Sequence, residues 1–226
     1  VAVGVSAVTA TLVFIFLIWR RSSRRSSHPA DSDQGGIGII AFRYADIKRA
    51  TNNFSEKLGT GGFGSVFKGC LGESVAIAVK RLDGAHQGEK QFRSEVSSIG
   101  IIQHVNLVKL VGFCCEGDRR LLVYEHMPNR SLDVHLFHQS AHGSGTGTTG
   151  LRWDIRYQIA LGVARGLPYL HHSCQDCIIH CDIKPQNILL DASFVPKIAD
   201  FGMAKFLGRD FSRVLTTMRG TVGYLA

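Results

Sequence analysis

The sequence predicts an α+β fold of two lobes, a small and mainly β lobe followed by a mainly helical one. Two observations carry this expectation. Apolar and polar residues alternate with the period of a strand in short segments up to about residue 124, and from residue 131 to 172 the pattern lengthens to that of helices. Strands and helices segregated in this order pack as separate layers, and the cleft between two such lobes is the natural place for a ligand.

The chain opens with residues 1–19, which carry no charge. At 1.5 Å per residue a helix of that length spans roughly 28 Å, close to the hydrocarbon core of a bilayer. Trp19 ends the run and Arg20, Arg21, Arg24 and Arg25 follow at once. This predicts one transmembrane helix with everything after residue 20 on the cytoplasmic side, by the positive-inside rule. A signal peptide would place its positive charges first. Those four arginines account for half of the formal net charge of +8. So local an excess points to a membrane surface and away from nucleic acid. Since residue 1 is not a methionine, an extracellular part is expected to precede it, and with it a ligand. Residues 20–41, rich in Ser, Arg and Gly, read as a basic juxtamembrane linker, and residues 140–150 as a surface loop between helices. The six cysteines are dispersed, which reads as reduced thiols. Cys174-x-x-Cys177 has no second such pair to complete a zinc site.

The first chemical element is Gly59-Thr-Gly61-Gly-Phe-Gly64-Ser-Val66, preceded by Leu58. Glycines without Cβ atoms let backbone N–H groups approach phosphate oxygens. In a dinucleotide-binding fold such glycines would open a helix, whereas here the chain continues as a strand. In the next strand Val75, Ile77 and Val79 alternate with Ala76, Ala78 and Lys80, so Ala78 and Lys80 share one face. Then Phe92, Glu95, Val96 and Ile99 fall at helical spacing, which puts an acid on an apolar stripe. An acid there needs a partner, and Lys80 is the obvious one.

The strongest element is residues 178–190, a polar loop between two short apolar strands, followed by Asp200-Phe-Gly202. It gathers acceptors for metal or proton at Asp182, Asn187 and Asp200 and a cation at Lys184. Phosphoryl transfer needs metal ions, charge neutralisation and an oriented hydroxyl more than it needs covalent help.

Taken together, Gly59-x-Gly61-x-x-Gly64, Ala78-Val-Lys80, Glu95, His180-x-Asp182-x-Lys184-x-x-Asn187 and Asp200-Phe-Gly202 resemble the protein-kinase signature set in order and spacing. The resemblance implies ATP and Mg²⁺ as cofactors, with Lys80 on the α- and β-phosphates and Glu95 orienting it. It implies Asp182 on the substrate hydroxyl, Lys184 on the γ-phosphate, and Asn187 and Asp200 on Mg²⁺. Lys184 resembles the serine/threonine branch, so Ser and Thr hydroxyls of proteins are the implied substrates. The flanks, residues 42–54, 122–129 and 220–226, resemble plant receptor-like kinases, nearest to the lectin-type S-receptor-like group. On that resemblance Tyr124 guards the back of the ATP pocket and Met127 is the hinge residue at the adenine. Val66, Ala78 and Leu189 sandwich the base, while Ile99, Leu110, His180 and Phe201 stack as an internal spine. A plasma-membrane, single-pass protein is implied, with residues 54–127 as the N-lobe and 128–226 as part of the C-lobe of a kinase domain spanning 42–226.

Three features depart from the pattern. Cys181 stands where many kinases carry an Arg, so phosphorylation at Thr216 or Thr217 is not expected to order the following segment through that position. Thr221 resembles the residue that braces the catalytic Asp. Pro168, in a pattern that reads as one helix, predicts a kink near Ala164. The family pattern also continues beyond residue 226, which leaves two further readings open, a non-catalytic ATP-binding scaffold and a truncated adaptor.

Overall fold

The computed structural model describes residues 38–61, 64–100, 102–137, 151–174, 176–207 and 220–225. The predicted membrane helix, most of the linker, Thr216 and Thr217 lie outside these residues. Among the described residues no helix is long and apolar enough to cross a membrane.

The first lobe is a six-stranded sheet carrying two helices. Its elements are β1 (Ile40–Ala41), α1 (Tyr44–Ala50), β2 (Lys57–Gly61), β3 (Gly64–Leu71), β4 (Val75–Leu82), α2 (Ala85–Ile99), β5 (Leu110–Glu116) and β6 (Arg119–Glu125). The strands lie in the order β1-β5-β6-β4-β3-β2. All neighbours are antiparallel except β1 and β5, which run parallel. A tight β5–β6 hairpin forms because Gly117 takes φ 51°, a conformation other residues adopt at a cost.

Alternation along the central strands gives the sheet two faces. Ile77, Val79, Leu121 and Val123 point one way and are sealed by α1 through Ile47, forming a small core of their own. Leu122 and Tyr124 point the other way into the main core, with Phe92 and Ile99 of α2. Ala78 and Lys80 share this second face by the same period of two.

The lobe starts earlier than the sequence suggested. Ile40 and Ala41, read as the end of the linker, pair with Gly112 and Phe113 of β5, and the Phe42 N–H donates to the Phe113 carbonyl at 2.8 Å. Two glycines make room for this segment. A Cβ on Gly112 would collide with the Ile40 carbonyl and lie 2.5 Å from the Phe42 ring, and one on Gly100 would collide with Ile39. Periodicity cannot register so short a strand, because two residues hold no pattern.

The second lobe contains α3 (Leu132–Phe137), α4 (Trp153–Pro168), a π-type turn over Tyr169–Ser173, and strands β7 (Cys177–Ile179), β8 (Ile188–Leu190), β9 (Pro196–Ile198) and β10 (Lys205–Leu207). Strands β8 and β9 form one hairpin, and β7 pairs with β10. Gly166 brings α4 close to that hairpin, since a Cβ there would stand 2.9 Å from the Ile198 side chain. The helix runs unbroken through Ala164, and the departure from α geometry begins after Pro168. A proline at the last helical residue has no N–H to give to the carbonyl four residues back, and the wider π-type turn follows it directly.

Gly112→Ala should unseat β1 and Phe42, costing about 1–3 kcal/mol as an overpacking substitution. The check is a thermal unfolding midpoint several degrees below that of the unaltered chain; an unchanged midpoint would contradict the close approach.

Candidate active site

The β2–β3 hairpin forms the roof of the cleft. Gly59 pairs with Val66 and Gly61 with Gly64, while Leu58 at the start of the hairpin is 45% exposed. Two of the three signature glycines differ from the third in what surrounds them. Gly64 has φ 142° and no room for a Cβ, which would run into the Arg81 carbonyl of β4. At Gly59 and Gly61 a Cβ would meet nothing within 4 Å. Packing thus accounts for Gly64, whereas Gly59 and Gly61 leave space above the cleft. Val66 and Ala78 lie on the adjacent strands β3 and β4, and Leu189 on β8 of the other lobe. Met127, just beyond β6, is buried, and its carbonyl accepts the Arg130 N–H at 3.2 Å.

Beneath the roof, three elements converge on one ammonium group. Lys80 Nζ of β4 donates to Glu95 Oε1 of α2 at 2.7 Å and to Asp200 Oδ1 at 2.8 Å. The pairing with Glu95 is the one expected from the helical stripe, and Glu95 is fully buried. Burial opposes the charge on Lys80, but Glu95 and Asp200 outweigh it and hold the ammonium above its ordinary value. Two further partners escaped the sequence reading. The Tyr124 hydroxyl hydrogen-bonds Glu95 Oε2, and burial together with that carboxylate pushes the phenol well above its ordinary range. Gln91, one helical turn before Glu95, donates Nε2 to Glu95 Oε1 at 2.8 Å and to Asp200 Oδ1 at 3.3 Å. Its position on the stripe was visible; that it is a polar residue on the buried face was the missed signal.

A second carboxylate is held by different means. Asp182 Oδ1 accepts from the Thr221 hydroxyl at 2.5 Å, and Oδ2 accepts from Asn187 Nδ2 at 2.9 Å and pairs with Lys184 Nζ at 2.9 Å. Lys184 in turn donates to Thr221 Oγ1 at 2.7 Å. Burial pushes the Asp182 carboxyl up, yet Thr221 and Lys184 more than offset it, and the group lies below its usual range. His180 is buried against Phe201, ring centroids 4.8 Å apart, with Nε2 3.0 Å from the Ala199 carbonyl. Ile99, Leu110 and Phe201 belong to the same main core.

The donor set suits a hard cation. Both Asn187 amide hydrogens face Asp182, which turns its oxygen away, and Asp200 has Oδ1 occupied and Oδ2 outside the described hydrogen bonds. The Ala199 N–H donates to the Asn187 carbonyl at 2.9 Å, which locks the two residues side by side. Among the described residues no three of His, Cys, Asp and Glu cluster as a self-sufficient metal cage. Two oxygen donors with the rest left to phosphate and water is the pattern Mg²⁺ favours. A groove of about 460 Å³ between α2 and β10, lined by Arg93, Ser94 and Lys205 among others, contains none of these groups.

A family model described as protein kinase domain matches residues 52–226. The chain belongs to the protein kinase family. A G-type lectin S-receptor-like serine/threonine-protein kinase of Arabidopsis thaliana is 64% identical over 194 residues, 86% of this chain and 23% of its own. Another from that plant, SD2-2, is 51% identical over 228 aligned positions, 99% of this chain and 28% of its own. A rice relative from Oryza sativa subsp. indica, LECRK4, is 47% identical over 220 residues, 95% and 26% respectively. The chain therefore spans about a quarter of the length of these relatives. The protein-kinase domain carries ATP and divalent-metal use as family properties, and the sequence resemblance to plant S-receptor-like kinases stands.

Burial holds the His180 imidazole below its ordinary value, ahead of a smaller opposing pull from the Ala199 carbonyl. The stability it contributes is present in full above about pH 6.5 and is lost as pH falls from there towards its lowered value. An NMR titration of the ring should find it neutral at pH 6.5; a midpoint at or above that pH would contradict the assignment.

Proposed function

We propose that this chain is the membrane-anchored, cytoplasmic kinase portion of a plant receptor-like protein, transferring the γ-phosphoryl group of Mg·ATP to Ser and Thr hydroxyls of proteins. The observation that carries the reading is the pair of separately held carboxylates, Asp200 tied to Lys80 and Asp182 tied to Thr221, Lys184 and Asn187. A scaffold that only binds nucleotide has no use for the three donors around Asp182.

When bound, Mg²⁺ supplies neutralisation of the phosphate charge, and Asp200 and Asn187 are the residues to hold it. Lys80, kept protonated by its two carboxylates, offers its remaining donor to the α- and β-phosphates. Leu58, Gly59, Gly61, Gly64 and Val66 cover the nucleotide from above. Val66, Ala78 and Leu189 flank the base beside Met127, with Tyr124 closing the back of the pocket and fixing Glu95. Asp182 sits below the usual carboxylate range, so it is a weak base. Its work is to orient the hydroxyl, and it receives the proton late, as suits a loose transition state. Lys184 bridges this group to the γ-phosphate.

In the same reading, residues 1–19 span the plasma membrane once, the basic linker runs from residue 20 up to β1, and the kinase domain runs from β1 to residue 226, with the lobes meeting near residue 127. The S-receptor-like relatives are named as receptor-like kinases, which supports an extracellular ligand for the parent protein.

Asp182→Asn should cut phosphate transfer from labelled ATP to a protein acceptor by about 10²–10⁴-fold while ATP still binds. Asp200→Asn should abolish the Mg²⁺-dependent thermal stabilisation by ATP. Phosphoamino-acid analysis should return phosphoserine and phosphothreonine; label on tyrosine, or undiminished transfer in Asp182→Asn, would overturn the reading.

A further inference from the structure

We infer that Gln91 is a positioning residue for Asp200, a neutral stitch that holds the two carboxylates of the lysine cluster in register through its amide N–H groups. The inference rests on the kinase reading above and assigns a part to a residue outside the signature set.

Gln91 is 3% exposed, and its Nε2 meets Glu95 Oε1 at 2.8 Å and Asp200 Oδ1 at 3.3 Å. Carboxylate oxygens accept and do not donate, so only the NH₂ end of the amide can face them and the orientation is settled. The other end has no partner, because Oε1 is buried and makes no hydrogen bond. An unsatisfied buried amide oxygen is costly, and an apolar side chain of the same shape would avoid the cost. Stability alone therefore does not explain glutamine at this position; its two N–H donors do.

Asp200 needs such a donor. Its backbone is left-handed, φ 65° and ψ 73°, a conformation that persists only where surrounding contacts over-determine it. Among the described residues its side chain has two donors, Lys80 and Gln91. The Lys80 ammonium is shared with phosphate once nucleotide binds, whereas the Gln91 amide, buried behind the cluster, stays on Asp200. A Lys or Arg in its place would cancel the negative charge that attracts a cation, and a Glu would repel both neighbours. Glutamine donates to two carboxylates and leaves the charge unchanged.

Gly202 completes the arrangement. A Cβ there would stand 2.7 Å from Gln91 Cδ and closer still to Nε2, so the glycine after Phe201 is what lets the amide lie against the Asp200 turn. Ser94, one turn along α2, donates its hydroxyl to the Phe201 carbonyl at 3.3 Å and fixes the same contact.

The test is Gln91→Met on the full chain, which keeps the length and loses the donors. Calorimetry would measure ATP affinity with Mg²⁺ and with EDTA, beside the thermal midpoint and kcat/KM. The expected result is an unchanged or higher midpoint, unchanged affinity in EDTA, and an Mg²⁺-dependent gain in ATP affinity reduced about tenfold, the scale of one charge-assisted hydrogen bond. Gly202→Ala, which pushes the amide away by a different route, should lose the same Mg²⁺-dependent gain, accompanied there by a lower midpoint from the added Cβ. A full Mg²⁺-dependent gain in Gln91→Met overturns the inference, as does a parallel fall in midpoint and EDTA affinity, which would assign Gln91 to packing. If the unaltered chain shows no Mg²⁺-dependent gain, the kinase reading itself fails.

Discussion

One ammonium group shared by two carboxylates from different parts of the chain is the constraint on which the rest of the architecture depends. Lys80 comes from a central strand, Glu95 from the helix packed on it, and Asp200 from the far lobe, 120 residues along the chain from Lys80. A buried charge left without its partner is worth several kcal/mol of destabilisation, so the three elements are bound to one another's positions. The alternation of β4 places the lysine on the core-facing side, and the apolar stripe of α2 pulls the glutamate to it. Ser94 and Gln91 then tie the helix to the backbone and side chain of the turn that carries Asp200.

The second carboxylate follows the opposite logic. Asp182 is surrounded by three side-chain donors of modest reach, two from its own loop and one, Thr221, from 39 residues further on. Those donors keep it ionised despite burial. Asp200 is held from α2 and β4 of the first lobe, and Asp182 by Thr221, Lys184 and Asn187 of the second, so the two carboxylates are held by separate sets of side chains.

What the sequence could and could not convey follows the same physics. Period-two and period-3.6 patterns gave the β4 face, the α2 stripe and the order of the lobes, because side-chain direction is a local property of the backbone. The Lys80–Glu95 pair was legible because a buried acid demands a cation and only one was placed to supply it. Lys80 and Gln91 meeting Asp200 depends on how the lobes close, and Tyr124 meeting Glu95 on how α2 packs against β6, and no local pattern encodes either; Gln91 meeting Glu95 is a contact one helical turn apart, which the stripe did contain. The pairing of β1 with β5 was hidden for a different reason: its signal is the absence of side chains at Gly100 and Gly112, on the receiving side and far along the chain.

That short strand has a consequence for how the molecule meets its neighbours. Among the described strands the six-stranded sheet has its outer positions at β1 and β2. Had the chain begun at β2, the long and largely apolar β5 would present bare N–H and C=O groups, the template on which a second molecule adds its own strand. Two residues of β1 cover its middle, at Gly112 and Phe113. The opposite margin is β2, five exposed residues of which two are glycines and one a lysine, a poor surface for a stranger to pair with. Each margin of the lobe is thus a poor template for edge-to-edge pairing, one interrupted by a patch two residues wide and the other by its glycines and lysine.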